Sequence, residues 1–277
     1  MRPGALAILL TLLTPPSLLA ASYSPSDPGA SRIINYFVNS TGWNPELHHE
    51  SVAAVQAAPD RFAPILRERL ARVPATLDEY DLDDPRWVLN GRPGDPDARL
   101  GTQSEKLLGI VGLLPLDHAE PILQEFFDKV NPLALEAERR FWDAKDAALA
   151  TDQQRTDETL RIGKVTRAFT TARGHATNLA KTLGSDVYYD DYVAMLTSDD
   201  AIAQATGAAY TRGNLDAILA WRPDALPEIL EATTRLSASD QPRVAEAGRA
   251  LMGAVRQSLQ SPMRDDTRAD PEQQRDP

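Results

Sequence analysis

No cysteine occurs in the 277 residues of this chain. That absence rules out thiolate nucleophiles, Cys-ligated zinc or iron–sulfur clusters, and disulfide bonds. Histidine is scarce, with only 4 residues (His48, His49, His118 and His175), so a metal centre rich in imidazole would need nearly all of them. Aromatic residues make up 6% of the chain, and β-branched residues never alternate with polar ones for long, so the pattern of a β-strand is almost missing. Also missing are the G-x-S-x-G elbow, the phosphate-cradling G-x-x-x-x-G-K-[ST] loop, the G-x-G-x-x-G turn after a strand, and the H-E-x-x-H zinc helix. Positive charge falls short of negative, giving a formal net charge of −11, and such a surface repels nucleic acid at long range.

The first residues read as an export signal. Arg2 supplies a short positive start, Ala5 to Leu13 forms a compact apolar run, and Ala20-Ala21-Ser22 supplies small residues for cleavage. The run is about half of the roughly 20 residues a membrane-spanning helix needs, and Pro15-Pro16 interrupt it, so a cleaved signal over residues 1–22 is expected rather than a retained anchor. No later segment is apolar enough to span. The expected destination is the periplasm or the exterior of a bacterial cell, because the chain is rich in Ala, Arg, Asp and Pro. The mature part is expected to be one all-helical domain over residues 23–260, with a subdivision near 131–184, followed by a disordered polar tail over 261–277.

Helix signals dominate what remains. Asp27-Pro28, Asn44-Pro45 and Asn131-Pro132 each place a capping side chain before a proline, the usual chemistry of a helix start. Ser198 precedes Asp199-Asp200 and an Ala-rich run to Ala209, and Asp240 precedes an amphipathic run through Val244, Ala247, Leu251, Val255 and Leu259. Residues 152 to about 183 keep one apolar helical face, although Gly163 and Gly174 within it invite a break or a kink. The spacing therefore predicts a long helical hairpin from Asn131 to Gly184. Residues 74–101 resist a helical reading: they are acidic first, then rich in the turn pairs Asn90-Gly91, Pro93-Gly94 and Asp95-Pro96.

One element is written three times: DRFAPILRERL from 60, DHAEPILQEFF from 117 and DALPEILEATT from 224. Each copy follows an apolar run and a short turn, so each is read as the second helix of an αα-hairpin. The Asp is expected to cap it, with the cap slipped by one or the first turn tightened into 3₁₀ in the first two copies, where Pro64 and Pro121 sit one position later. The Ile-Leu pair is expected to begin its buried stripe. The separations of 57 and 107 residues exceed those of the common helical repeats. The expected fold is therefore all-α: an irregular α-solenoid-like array, loosely resembling HEAT-type helix pairing, or a layered bundle of αα-hairpins, with one long central helical hairpin.

Candidate sites are few, and none is catalytic. Between residues 155 and 181, Arg155, Arg161, Lys164, Arg167, Arg173 and Lys181 face only Asp157 and Glu158, a cationic stretch in an acidic chain. Arg161, Lys164, Arg167 and Arg173 are candidate ligand- or partner-binding residues, with intramolecular pairing to Glu136, Glu138 and Asp143 as the competing account. Tyr188 and Tyr189 join apolar area to polar tips and complete that candidate surface. For metal, the acidic Asp81, Asp83, Asp84, Asp95 and Asp97 would suit Ca²⁺, and His48 with His49 would suit Zn²⁺. However, Pro85 and Arg86 break the EF-hand pattern counted from Asp81, and adjacent histidines on a helix diverge by about 100°. The leading expectation is an exported, non-catalytic helical scaffold that binds another protein or an envelope component, with no cofactor. A metal-dependent hydrolase or metal-binding protein, and a sensor for a small anionic ligand, are the alternatives.

Overall fold

In the computed structural model, the residues described are 27–39, 44–73, 77–79, 102–150 and 157–260. The proposed signal, most of the 74–101 segment and the polar tail lie outside them. Among the described residues the chain is all-helical, with ten α-helices and no strand. They divide into two compact units, one ending at Tyr188 and one starting at Tyr189.

The first unit holds α1 (Pro28–Asn39), α2 (Pro45–Ala57), α3 (Pro59–Leu70), α4 (Thr102–Val111), α5 (Leu116–Ala150), α6 (Asp157–Leu183) and the start of α7 (Val187–Thr197). Asp27 caps α1 by accepting from the backbone N–H groups of Gly29 and Ala30 at 2.9 and 3.0 Å. Asn44 caps α2 through Leu47 N–H at 3.2 Å. Both starts follow from the cap-then-proline pattern. The start expected at Asn131 does not exist, because α5 runs through Pro121 and Pro132 for 35 residues, about 52 Å. Each proline removes one helical hydrogen bond, but both rings are exposed, so the released carbonyls can meet water. On the opposite face Ile122, Leu123, Phe126, Phe127, Val130, Leu133 and Ala137 are buried, and that burial outweighs the lost bonds. The central hairpin is therefore α5 against α6, and it begins at Leu116. Helix α6 also passes its glycines unbroken. At Gly163 a Cβ would sit 3.3 Å from the Phe141 ring, so that glycine lets α5 and α6 approach closely.

The repeated element starts a helix each time, but among the described contacts no Asp of the three supplies the N-cap side-chain bond. In α3 the first residue is Pro59, the preceding Ala58 provides no side-chain cap, and Asp60 lies one position further in. In α5 the Pro115 carbonyl accepts from His118 and Ala119 N–H groups, both at 3.0 Å. In the third copy Pro223–Ala225 is a short 3₁₀ turn before α9, again without a side-chain cap. Proline opens each helix, and the Asp side chains are left for other partners.

The first two copies lie side by side. His118 reaches Asp60, Glu125 reaches Arg67, and Lys129 donates to the Ala71 carbonyl, each pair separated by 58 positions in sequence. A constant offset means that α3 and the first part of α5 run parallel and in register. Phe62, Ile65, Leu66, Ile122, Leu123 and Phe126 are buried around this contact.

The second unit contains the rest of α7, α8 (Ala201–Trp221), α9 (Leu226–Ser237) and α10 (Pro242–Gln260). Asp200 caps α8 through Ile202 and Ala203 N–H groups at 2.8 and 3.0 Å. That helix does not stop at Ala209 but continues to Trp221. Its core includes Leu215, Ile218, Ile229, Leu236, Val244, Leu251 and Val255. Glycine permits two close approaches: Gly207 under Met195, and Gly248 against the backbone of Leu236 and Ser237. No helix among the described residues is long and apolar enough to cross a membrane.

Candidate binding surface

Helix α6 turns two unlike faces to its surroundings. Ile162, Val165, Ala168, Phe169, Ala172, Ala176 and Ala180 recur at helical spacing and are buried, chiefly against α5 and α4. The opposite face exposes Leu160, Arg161, Lys164, Arg167, Gly174, Asn178 and Thr182. From Thr159 to Ser185 the sequence has no acidic residue. Leu160 is 46% exposed and lies in angular position between Lys164 and Arg167. The result is a cationic row, about 9 Å from Arg161 to Arg167 along the helix, with an exposed leucine at its N-terminal end.

Arg173 belongs to the other face. It is 1% exposed, and its Nη1 donates to Asn131 Oδ1 of α5 at 3.1 Å. Burial pushes the Glu138 carboxyl above its ordinary range, opposed by the positive charge of Arg173 and a hydrogen bond from Trp142. Nearby, Thr166 Oγ1 lies 3.1 Å from the Ala137 carbonyl and 2.9 Å from the Ile162 carbonyl. Arg173 therefore pins the hairpin from within, while Arg161, Lys164 and Arg167 sit outside it.

At the same end of the hairpin as Arg161, Arg140 donates to Asp78 at 2.7 Å and to Glu136 at 2.9 Å, and Arg139 donates to Glu136 at 2.6 Å. Asp78 stands in a short 3₁₀ turn, Leu77–Glu79, whose Leu77 is buried. The hydrogen bond from Arg140 holds the Asp78 carboxyl below its usual range, with Arg161 adding a weaker pull. Arg140, then Arg139, likewise lower Glu136. Asp78 and Glu136 thus balance part of the arginine charge at this end.

The two tyrosines are buried, Tyr188 at 1% and Tyr189 at 3% exposure. In the second unit the Tyr189 hydroxyl donates to Glu228 at 3.3 Å and its ring faces the Arg222 guanidinium at 4.9 Å. Burial, reinforced by Glu228, pushes the Tyr189 phenol up to about 12. Burial and then Asp186 raise Tyr188 as well, so both remain protonated donors at neutral pH. Neither presents its ring to solvent.

The candidate metal ligands do not assemble among the described residues. His48 packs edge-on to Phe37 at 5.4 Å, His49 is exposed, and no described group of three His, Asp or Glu side chains could hold an ion. Asp81, Asp83, Asp84, Asp95 and Asp97 lie outside the described residues.

Sequence reasoning missed His118. Its Nε2 lies 2.8 Å from Asp60 Oδ1 and its Nδ1 2.9 Å from Asp117 Oδ1. The signal was present in the repeat: the two Asp residues are equivalent positions, and parallel packing of the copies brings both to one histidine. Without that packing nothing linked residue 60 to residue 118. Comparison with protein-family models, with curated proteins and with solved structures returned no match.

Proposed function

We propose that this chain is an exported, non-catalytic helical binding protein of the bacterial cell envelope, which docks an acidic segment of a partner protein on the outer face of α6. The observation that supports this reading is the exposed row of Leu160, Arg161, Lys164 and Arg167 on a helix with no acidic residue from Thr159 to Ser185, in a chain of net charge −11. In so acidic a chain a cationic row flanked by an exposed leucine steers an anionic partner toward one place and repels it elsewhere. The buried Arg173–Asn131 contact and the α5–α6 core hold that helix rigid, which limits the entropy lost on docking. Leu160, 46% exposed beside the row, supplies apolar area whose burial adds to affinity.

The test is binding of a fluorescent Glu-rich peptide with one central leucine, followed by anisotropy, against a Lys-rich control. Saturable binding of the acidic peptide is expected, with a loss of roughly tenfold or more in Lys164→Glu/Arg167→Glu. Both positions are exposed, so the fold should survive the change. Equal binding by wild type and double variant would remove the proposal. Inorganic phosphate competing at micromolar concentration would replace the protein partner with a small anion.

A further inference from the structure

His118 stands where the first two copies of the repeated element meet. The contact between α3 and α5 carries three polar rungs in register: Asp60 with His118, Arg67 with Glu125 at 3.1 Å, and the Ala71 carbonyl with Lys129 at 3.3 Å. A carboxylate can only accept a hydrogen bond, so His118 satisfies Asp60 and Asp117 together only when both ring nitrogens carry a proton. That species is the imidazolium. Loss of either proton turns a lone pair toward a carboxylate and removes the cation between two anions. The rung to Asp117 is local, whereas the rung to Asp60 ties one repeat to the other.

Among the described residues, Asp60 and Asp117 are the charges that act on this ring. Arg61, next to Asp60, is engaged with Asp27 through two nitrogens, one at 2.9 Å. On α4, Lys106 donates to the Val38 carbonyl and Glu105 faces His175. On α5 itself, Glu120 accepts from Ser185. The third copy has Ala225 at the corresponding position and so lacks the device.

We propose that His118 is a pH-operated latch between the two parallel repeats, closed when the ring is protonated and open at the N-terminal end of the α3–α5 contact when it is not. The lower rungs, an Arg–Glu pair and a Lys–carbonyl bond, contain no histidine, so only one end of the contact responds. The hydrogen bond to Asp60, then that to Asp117, raises the affinity of His118 for its proton above the ordinary value, 6.5. A raised folded value sets the sign: the latch contributes fully below about pH 6.5 and is lost as pH rises through the higher folded value. Because the His118 side chain is 24% exposed and those of Asp60 and Asp117 are 93% and 77% exposed, the latch is a light one, suited to local opening rather than to unfolding.

Two measurements on the full chain test it. Imidazole NMR should show His118 titrating above about pH 6.5, with a lower midpoint in Asp60→Asn and in Asp117→Asn. A wild-type midpoint at or below that value, or one unmoved by Asp60→Asn, overturns the latch. Hydrogen exchange, corrected for intrinsic rates, should show protection at Ile65, Leu66, Ile122 and Leu123 falling roughly threefold or more from about pH 5.5 to about pH 8.5. Residues 126–130, beside the lower rungs, should change little, and His118→Gln should flatten the response. Uniform loss along both helices, or an unchanged response in His118→Gln, would also overturn it. Asp60 and Asp117 are exposed and His118 is half-buried at the edge of the contact, so none of the three substitutions opens the core.

Discussion

A single buried or half-buried charge in this protein is legible only once its partner is known. Asp27 looks like a cap in sequence and is one, but it is also the counterion of Arg61, 34 positions away, with side chains only 12% and 13% exposed. The Arg61 hydrogen bond holds the Asp27 carboxyl well below the usual carboxylate range, with the two capping N–H groups helping. A depressed folded value stabilises above the unfolded pKa, about 3.8, and fades as pH falls through the folded value. Asp27→Asn should therefore keep the cap and lose the pair, and urea titration should show a deficit of about 1–2 kcal/mol that is constant from neutral pH to near 4 and closes only in stronger acid. Asp27→Ala, losing both, should cost about 2–3 kcal/mol. Asn131 was equally misleading: beside Pro132 it reads as a helix start, yet it is a buried mid-helix acceptor for Arg173. Asn131→Leu leaves a guanidinium nitrogen without that acceptor and should cost about 1.5–3 kcal/mol in the same assay. Equal stability of Asn131→Leu and wild type would mean that Arg173 finds its support elsewhere.

Whole helices were easier to read than their ends. Period-3.6 apolar spacing located α1, α2, α6 and α10 because burial of one face is a sum over many residues and tolerates local dissent. The boundaries failed where a local breaker was weighed alone. Pro132 and Gly163 each favour interruption by a few kcal/mol at most, whereas the buried row on α5 continues on both sides of Pro132 and that on α6 on both sides of Gly163. Glycine shows the same competition in α10. At Gly248 an added Cβ would stand 2.5 Å from Ser237 N and 2.7 Å from Leu236 C, both backbone atoms of α9 that cannot step aside. At Gly253, one and a half turns later, the space is open. Gly248→Ala should therefore destabilise by about 2–3 kcal/mol through a forced separation of α9 and α10. Gly253→Ala, with no such contact, should stabilise by about 0.5–1 kcal/mol through helix propensity. Thermal melting of the two variants checks the pair: shifts of the same sign would contradict the close approach of α9 and α10 at Gly248.

At the scale of the molecule, the decisive property is which cations the fold buries and which it leaves on the surface. Composition states a net −11 but not its distribution, and the distribution depends on which cations the fold consumes. Arg173 is inside, so the reading of four equivalent cations on α6 reduces to three on its surface. The sequence shows the row by its three-residue spacing, but only packing tells Arg173 from Arg161, because both positions are arginine on the same helix. Tyr188 and Tyr189 fail as surface candidates for a related reason: burial of a tyrosine ring and exposure of its tip look alike in a string of letters. The α6 row lies in solvent, so its attraction for an acidic peptide must be screened when the Debye length shrinks from about 14 Å at 0.05 M salt to about 4 Å at 0.5 M. Affinity for the Glu-rich peptide should fall roughly tenfold over that range, carried mainly by a slower association rate, since rim charges act on encounter. Leu160→Ser should instead speed dissociation and leave the salt slope as it was, because a leucine contributes area and no field. Anisotropy kinetics at two salt concentrations separate these contributions. Salt-insensitive binding, or a Leu160→Ser effect confined to association, would place the binding determinant away from the outer face of α6.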